Sequence, residues 1–95
     1  MAQKKDIDQN LLDLKEYLTE NKLIFGTEVV LKQLRKGQLN KIYLSRNCPK
    51  KVREEIDHYA KMVSIPVIRL DVDNEEISVW CKKSFFISVL GVKNQ

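Results

Sequence analysis

His58 is the one imidazole in the chain, and Glu54 stands four residues before it, a pairing that in principle moves a proton. The same spacing makes Glu54 an ordinary helix-surface partner, and no serine or cysteine nucleophile stands with His58 in a recognisable motif. Cys48 and Cys81 are far apart, with no Cys or His at metal-ligand spacing, so they read as reduced thiols rather than as a zinc site or a disulfide. Gly26 and Gly37 do not build a phosphate loop, because the Gly-Lys-Ser/Thr ending is missing. Asp71, Asp73, Glu75 and Glu76 lack the glycine and the ligand spacing of a calcium loop and read as a solvated turn. Catalysis, a metal and a cofactor are all without a carrier, and the chain is expected not to be an enzyme.

The cations have a distribution that means more than their number. Lys32, Arg35, Lys36, Lys41, Arg46, Lys50, Lys51 and Arg53 follow one another without a single acid between them, although 13 acids are spread through the rest of the chain. A solvated face mixes signs, so a one-sign stretch in a protein of net charge +4 points to a polyanion, and nucleic acid is the expected partner. Trp80, Phe85 and Phe86 are aromatic candidates for base stacking, set against the commoner role of aromatics in a core.

Those side chains must be held by something. With 95 residues there is material for one compact unit, and the expected organisation is a single nucleic-acid-binding domain over residues 1–95. Ile7, Leu11, Leu14 and Leu18 recur at helical spacing, with Asp6 or Asp8 as cap and Asn21 as the stop. Leu23-Ile24-Phe25, ended by Gly26, reads as a buried strand running into a tight turn. Thr27 is the expected N-cap of a helix over Glu28–Lys36, with Gly37 in the left-handed position that closes it. On that helix Val30, Leu31 and Leu34 share one face, and Glu28, Lys32, Arg35 and Lys36 share the other.

Lys41–Ser45 is a second predicted strand, and Pro49 makes the following Arg46-Asn47-Cys48 a loop. Val52, Ile56, Tyr59, Ala60 and Val63 keep helical spacing in a third helix. A strand from Pro66 to Leu70, a short helix near Glu75–Cys81 and a strand from Phe85 to Val92 complete an αβαβαβαβ order. Such alternation predicts a layered α/β fold with helices on both faces of one sheet. The polar start of the chain and the lack of any long apolar run predict no membrane span, and a cytoplasmic location.

The stretch Leu23-Ile24-Phe25-Gly26-Thr27-Glu28-Val29-Val30-Leu31-Lys32, then Gly37, Ile42-Tyr43-Leu44-Ser45-Arg46-Asn47-Cys48-Pro49, Glu55-Ile56-Asp57-His58-Tyr59-Ala60 and Ile65-Pro66-Val67 resembles the kink-turn-binding ribosomal and box C/D core proteins. The likeness runs from about Leu11 to Val92 and is greatest to the large-subunit ribosomal branch of archaea and eukaryotes. It implies a three-layer α/β/α sandwich with a mixed four-stranded sheet, and ribosomal or ribonucleoprotein neighbours. Its RNA surface would be built from the Gly26 loop, the start of the second helix, the loop after the second strand and the loop before the last short helix. Gly26 would let the backbone approach RNA, Thr27 and Glu28 would meet sheared G·A pairs, and Lys32 would face phosphate. Arg46, Asn47 and Cys48 would form a second contact loop, and Phe85 aligns with a phenylalanine near the RNA. Arg35, Lys36 and Lys50 join this set from the cation stretch.

Departures from the family pattern fall in the third contact loop. Glu76-Ile77-Ser78 followed by Lys82-Lys83 keeps Glu76 and Lys83 but replaces two glycines, and a side chain at Ser78 would hold the backbone away from RNA. Two other members of the same fold are alternatives, and a small enzyme is a third. A guide-RNA particle core usually has Asn-Glu where this chain has Thr27-Glu28, and an acidic protein-interaction module would lack the cation stretch.

Overall fold

The computed structural model describes residues 12–94. Ile7, Leu11 and the proposed caps Asp6 and Asp8 lie outside the described residues. Within them the elements are α1 over residues 12–19, β1 (Leu23–Phe25), α2 (Thr27–Arg35), β2 (Leu39–Leu44), α3 (Lys50–Val63), β3 (Val67–Arg69), α4 (Asn74–Trp80) and β4 (Val89–Lys93). The expected alternation and mixed four-stranded sheet are present, in the strand order β1-β4-β2-β3.

β4 is central because it can be. Val89-Leu90-Gly91-Val92 is apolar on both faces, and all four residues are buried, as befits a strand covered by helices on either side. Leu90 and Val92 face one cluster with Leu14 of α1, Tyr43, Ile77 of α4 and Cys81. Val89 faces the other, with Val30, Leu31 and Leu34 of α2, Ile56 and Ala60 of α3, and Leu39, Ile42 and Leu44 of β2. A register shift between Leu39 and Lys41 lets Leu39 and Ile42, three apart, share a face that strict alternation would deny them.

Three boundaries differ from the sequence reading, each for a local reason. Thr27 is not the N-cap: Gly26 holds that place at φ 104, ψ 145, a conformation open to glycine, and Thr27 is the first helical residue with no capping side-chain bond. The last strand starts at Val89 rather than Phe85, because Ile87 donates its N–H to the Asn74 carbonyl and residues 84–88 run as a loop; Phe85 and Phe86 are both exposed. Val63 does not reach the core, since Ser64 takes φ 58 and ends α3 there.

Each helix closes with a left-handed residue, Asn21, Gly37, Ser64 or Lys82, and a pair of reverse backbone bonds. After α2 these run from Gly37 N–H to the Leu34 carbonyl (3.0 Å) and from Gln38 N–H to Gln33 (3.1 Å). After α4 they run from Lys82 N–H to Val79 (3.1 Å) and from Lys83 N–H to Ser78 (3.0 Å). Lys82, at φ 55, therefore bears backbone strain where the related pattern has glycine. Replacing it should relieve that strain: Lys82→Gly is expected to raise the unfolding free energy in urea by about 0.5–1 kcal/mol, and Gly37→Ala to lower it by about 1 kcal/mol. Which variant gains stability is the check, since a general cost of glycine would make Lys82→Gly destabilising and Gly37→Ala stabilising.

Candidate nucleic-acid interface

β4 runs antiparallel to both β1 and β2, and β2 runs parallel to β3, so β1, β2 and β3 all end at the same edge of the sheet. The turn at Gly26, the loop at Arg46 and the segment after Arg69 are therefore neighbours, although they are far apart in the chain. Two backbone bonds tie this end together. Gly26 N–H donates to the Val89 carbonyl at 3.1 Å, and Ser45 N–H donates to the adjacent Ser88 carbonyl at 2.9 Å. With one strand between them, the ends of β1 and β2 lie roughly 10 Å apart.

Long helices α2 and α3 both begin at this end, with their unbonded N–H groups and positive dipole ends turned the same way. Gly26 has open space above its α-carbon, and the positive φ leaves glycine as the residue that fits. Glu28 and Lys32 follow on the exposed side of α2, with Lys32 about 7.5 Å along the axis from Thr27. Arg46, Asn47 and Lys50 are exposed around the start of α3.

The second loop is closed by hydrogen bonds to the end of β3, to the segment before α4 and to α4 itself. Arg46 N–H donates to the Val72 carbonyl at 2.7 Å, and the Arg69 guanidinium donates to the Arg46 carbonyl at 3.4 Å. Asn47 and Asn74 form a reciprocal pair: Asn74 N–H donates to Asn47 Oδ1 at 2.9 Å, and Asn47 Nδ2 donates to Asn74 Oδ1 at 3.1 Å. Asn74 Nδ2 then donates to Ser88 Oγ at 3.3 Å. Asp73 caps α4 by accepting from Glu76 N–H at 3.0 Å, which gives one of the acids of the presumed solvated turn a structural task.

Several residues of the predicted set and of the cation stretch stand elsewhere. Arg35 and Lys36 are at the far end of α2, about 12 Å and 13.5 Å from Thr27, and Arg35 lies over the Tyr59 ring at 5.1 Å. Lys41 belongs to the other face of the sheet, where it donates to the Tyr17 hydroxyl at 3.4 Å and lies 5.9 Å from the Tyr43 ring centre. The cation stretch therefore does not form one patch. Cys48 is buried in the α2/α3 core, so its loop presents Arg46 and Asn47 without it. Ser78 is buried too, with Oγ donating to the Glu75 carbonyl at 2.9 Å. It faces inward and does not stand between backbone and ligand. Glu76 and Lys83 are exposed, and Lys83 Nζ lies 4.8 Å from the centre of the Phe25 ring, which brings the loop carrying Phe85 beside the Gly26 turn.

Arg69 and Asn74 are members of this end that the residue patterns did not single out. A parallel β2/β3 pair puts Arg69 opposite Leu44, so pairing the strands before assigning roles is the signal that finds it. His58 lies away from this end, edge-on to Tyr59 at 5.3 Å, in a hollow walled by Glu54, Asp57, Lys61, Ile65 and Val67. Among the described residues no three His, Cys, Asp or Glu side chains gather as metal ligands, and no helix is long and apolar enough to cross a membrane.

Burial pushes the Cys48 thiol up, with Arg53 and Arg69 opposing the shift and Asp57 adding to it. A raised thiol pKa means less thiolate at a given pH, so alkylation of Cys48 in the folded protein at pH 8 is expected to be about tenfold or more slower than in urea. Mass spectrometry of the Cys48 peptide checks this, and equal rates would place the thiol at the surface.

Comparisons with known proteins bear on the family and the fold. The large ribosomal subunit protein eL30 of Sulfurisphaera tokodaii is 29% identical over 84% of this chain and 76% of its own length. That of Methanocaldococcus jannaschii is 26% identical over 100% of this chain and 86% of its own. Among solved structures, a Giardia lamblia 15.5kD RNA binding protein superposes with a TM-score of 0.80 at 15% identity, over 95% of this chain and 76% of that one, a likeness of fold. Residues 9–95 match the Ribosomal protein L7Ae/L30e/S12e/Gadd45 family, and the chain belongs to that family.

Proposed function

We propose that this chain is an RNA-binding ribosomal protein of the large subunit, a single binding domain over residues 1–95 that works in the cytoplasm without catalysing a reaction. The target is a kinked RNA, and the neighbours are ribosomal or ribonucleoprotein components. One observation carries the reading: Gly26, the start of α2 and the Arg46-Asn47 loop meet at one end of the sheet, where Gly26 N–H and Ser45 N–H donate to the adjacent carbonyls of Val89 and Ser88. Support also comes from the eL30 relatives, which are large-subunit proteins by name.

The geometry suits recognition by shape. A sharply bent RNA presents splayed bases and a narrow cluster of phosphates, and the protein end offers backbone N–H groups at two helix starts flanked by exposed cations. Glycine at position 26 leaves room for bases to come close to the main chain. Lys32, Arg46 and Lys50 supply charge to phosphate, a contribution that holds position without reading sequence. Arg69, tied to the Arg46 carbonyl, adds a fourth cation to the same end. An acid-surfaced protein-interaction module is disfavoured by this concentration of positive charge.

Affinity for a kink-turn RNA at moderate salt is expected to fall by about 2–4 kcal/mol in the double variant Lys32→Ala, Arg46→Ala, the range for lost charge-assisted contacts. Lys36→Ala, at the far end of α2, should stay within about twofold of the parent once the salt is matched. A gel shift against a straight duplex of equal length measures both. An unchanged dissociation constant in the double variant would refute the site.

A further inference from the structure

The reciprocal asparagine pair joins parts of the chain that the RNA reading treats as separate contacts. Asn47 belongs to the loop after β2, and Asn74 is the first residue of α4. Asn74 also donates through Nδ2 to Ser88 Oγ at 3.3 Å and accepts at its carbonyl from Ile87 N–H at 3.4 Å, at the end of the loop that carries Phe85 and Phe86. Asn74 thus reaches both loops: its N–H and Oδ1 to the second, its carbonyl and Nδ2 to the third. The bases of the loops are held by Ser45 N–H to the Ser88 carbonyl, by Arg46 N–H to the Val72 carbonyl and by the burial of Cys48 and Ile87, while their tips project. Arg46, Asn47, Phe85 and Phe86 are exposed, so packing does little to hold them.

We infer that Asn74 is a positioning residue which locks the Arg46-Asn47 loop and the Phe85-Phe86 loop into one preformed surface, so that the two contact RNA as a unit. The inference rests on the RNA reading above and adds to it a residue that makes no required contact with RNA itself. Its physical basis is the cost of ordering. A loop that is free in solution loses conformational entropy on binding, and one held beforehand has already lost it, so the tie between loops appears as affinity. Asparagine suits the place because it offers a donor and an acceptor on one short side chain, which lets it answer Asn47 and Ser88 together.

Two variants separate this role from a merely stabilising one. Asn74→Ala removes both side-chain bonds and keeps the backbone N–H and carbonyl. Asn74→Asp keeps the oxygen that accepts from Asn47 and can accept from the Ser88 hydroxyl in place of donating to it. Hydrogen exchange on the free protein is the first measurement and needs no RNA. In Asn74→Ala the amides of Arg46 and Ile87 should exchange about tenfold faster, the change expected for two lost hydrogen bonds, while those of Ile42 and Leu90 in the sheet keep their parent rates. Asn74→Asp should restore protection at Arg46.

The second measurement is the binding of a kink-turn RNA at a temperature well below unfolding. Asn74→Ala should weaken binding about five- to twentyfold. In the parent, Arg46→Ala and Phe85→Ala together should cost less than the product of their separate effects, and in the Asn74→Ala background the two should multiply. Unchanged exchange at Arg46 and Ile87 would overturn the inference, and so would faster exchange with RNA binding and loop coupling left as in the parent. A parent protein that binds kinked and straight RNA alike would sink the RNA reading and this inference with it, a result read from the parent alone.

Discussion

The direction of one strand sets the rest of this molecule. β4 lies between β1 and β2 and runs against both, so the two outer chain segments point the same way and their following turns come out at the same edge. β3, parallel to β2, extends the edge by one more strand end. Had β4 run against one of these strands and along the other, the Gly26 turn and the Arg46 loop would have faced opposite poles of the sheet. The apolar run Val89-Leu90-Gly91-Val92 makes the central place possible, because a strand covered on both faces must be buried on both.

From that edge the helices take their orientation. α2 and α3 start where β1 and β2 end, which turns two helix dipoles toward one region and sends the ends of both helices, with Lys36 and Lys61, to the opposite pole. Charge at the first pole then works with backbone N–H groups, while charge at the second has none to work with. The loops of the first pole are short and tied by backbone and asparagine bonds rather than by packing, so their order depends on a few named hydrogen bonds. Left-handed residues at each helix end keep those connections tight, and Lys82 accepts strained geometry to do so.

Much of the fold was legible in the sequence because helix and strand leave different periods. Val30, Leu31 and Leu34, and likewise Ile56 and Ala60, mark buried helix faces without ambiguity, and Gly37 announces its own turn. Boundaries were harder where a residue type has two uses. Thr27 is a good cap by type, but the sharp strand-to-helix turn needs positive φ one residue earlier, and Gly26 takes it. Phe85 and Phe86 look like strand by composition, yet Ile87 is bonded to Asn74 and the pair stays outside the sheet.

The site was legible to the extent that it depends on local order. Gly26, Glu28, Lys32, Arg46 and Asn47 stand at one end, while Arg35, Lys36 and Lys41 leave it for reasons that no run of charge can express: helix length for the first two, strand face for the third. Cys48 and Ser78 turn inward, which needs a three-dimensional core to see. Arg69 and Asn74 came into view with the strand pairing and the hydrogen bonds. Parallel pairing of the second and third strands was the missing inference.

The central claim is that one pole of the sheet meets RNA, and a titration of the isotope-labelled protein with a kink-turn RNA, followed by amide chemical shifts, tests it most directly. The account predicts that the large shifts fall on Gly26, Thr27, Arg46, Asn47 and the loop through Phe85, with Gly37, Lys61 and Ser64 nearly still. Large shifts at Gly37, Lys61 and Ser64, with the Gly26 turn unmoved, would contradict it.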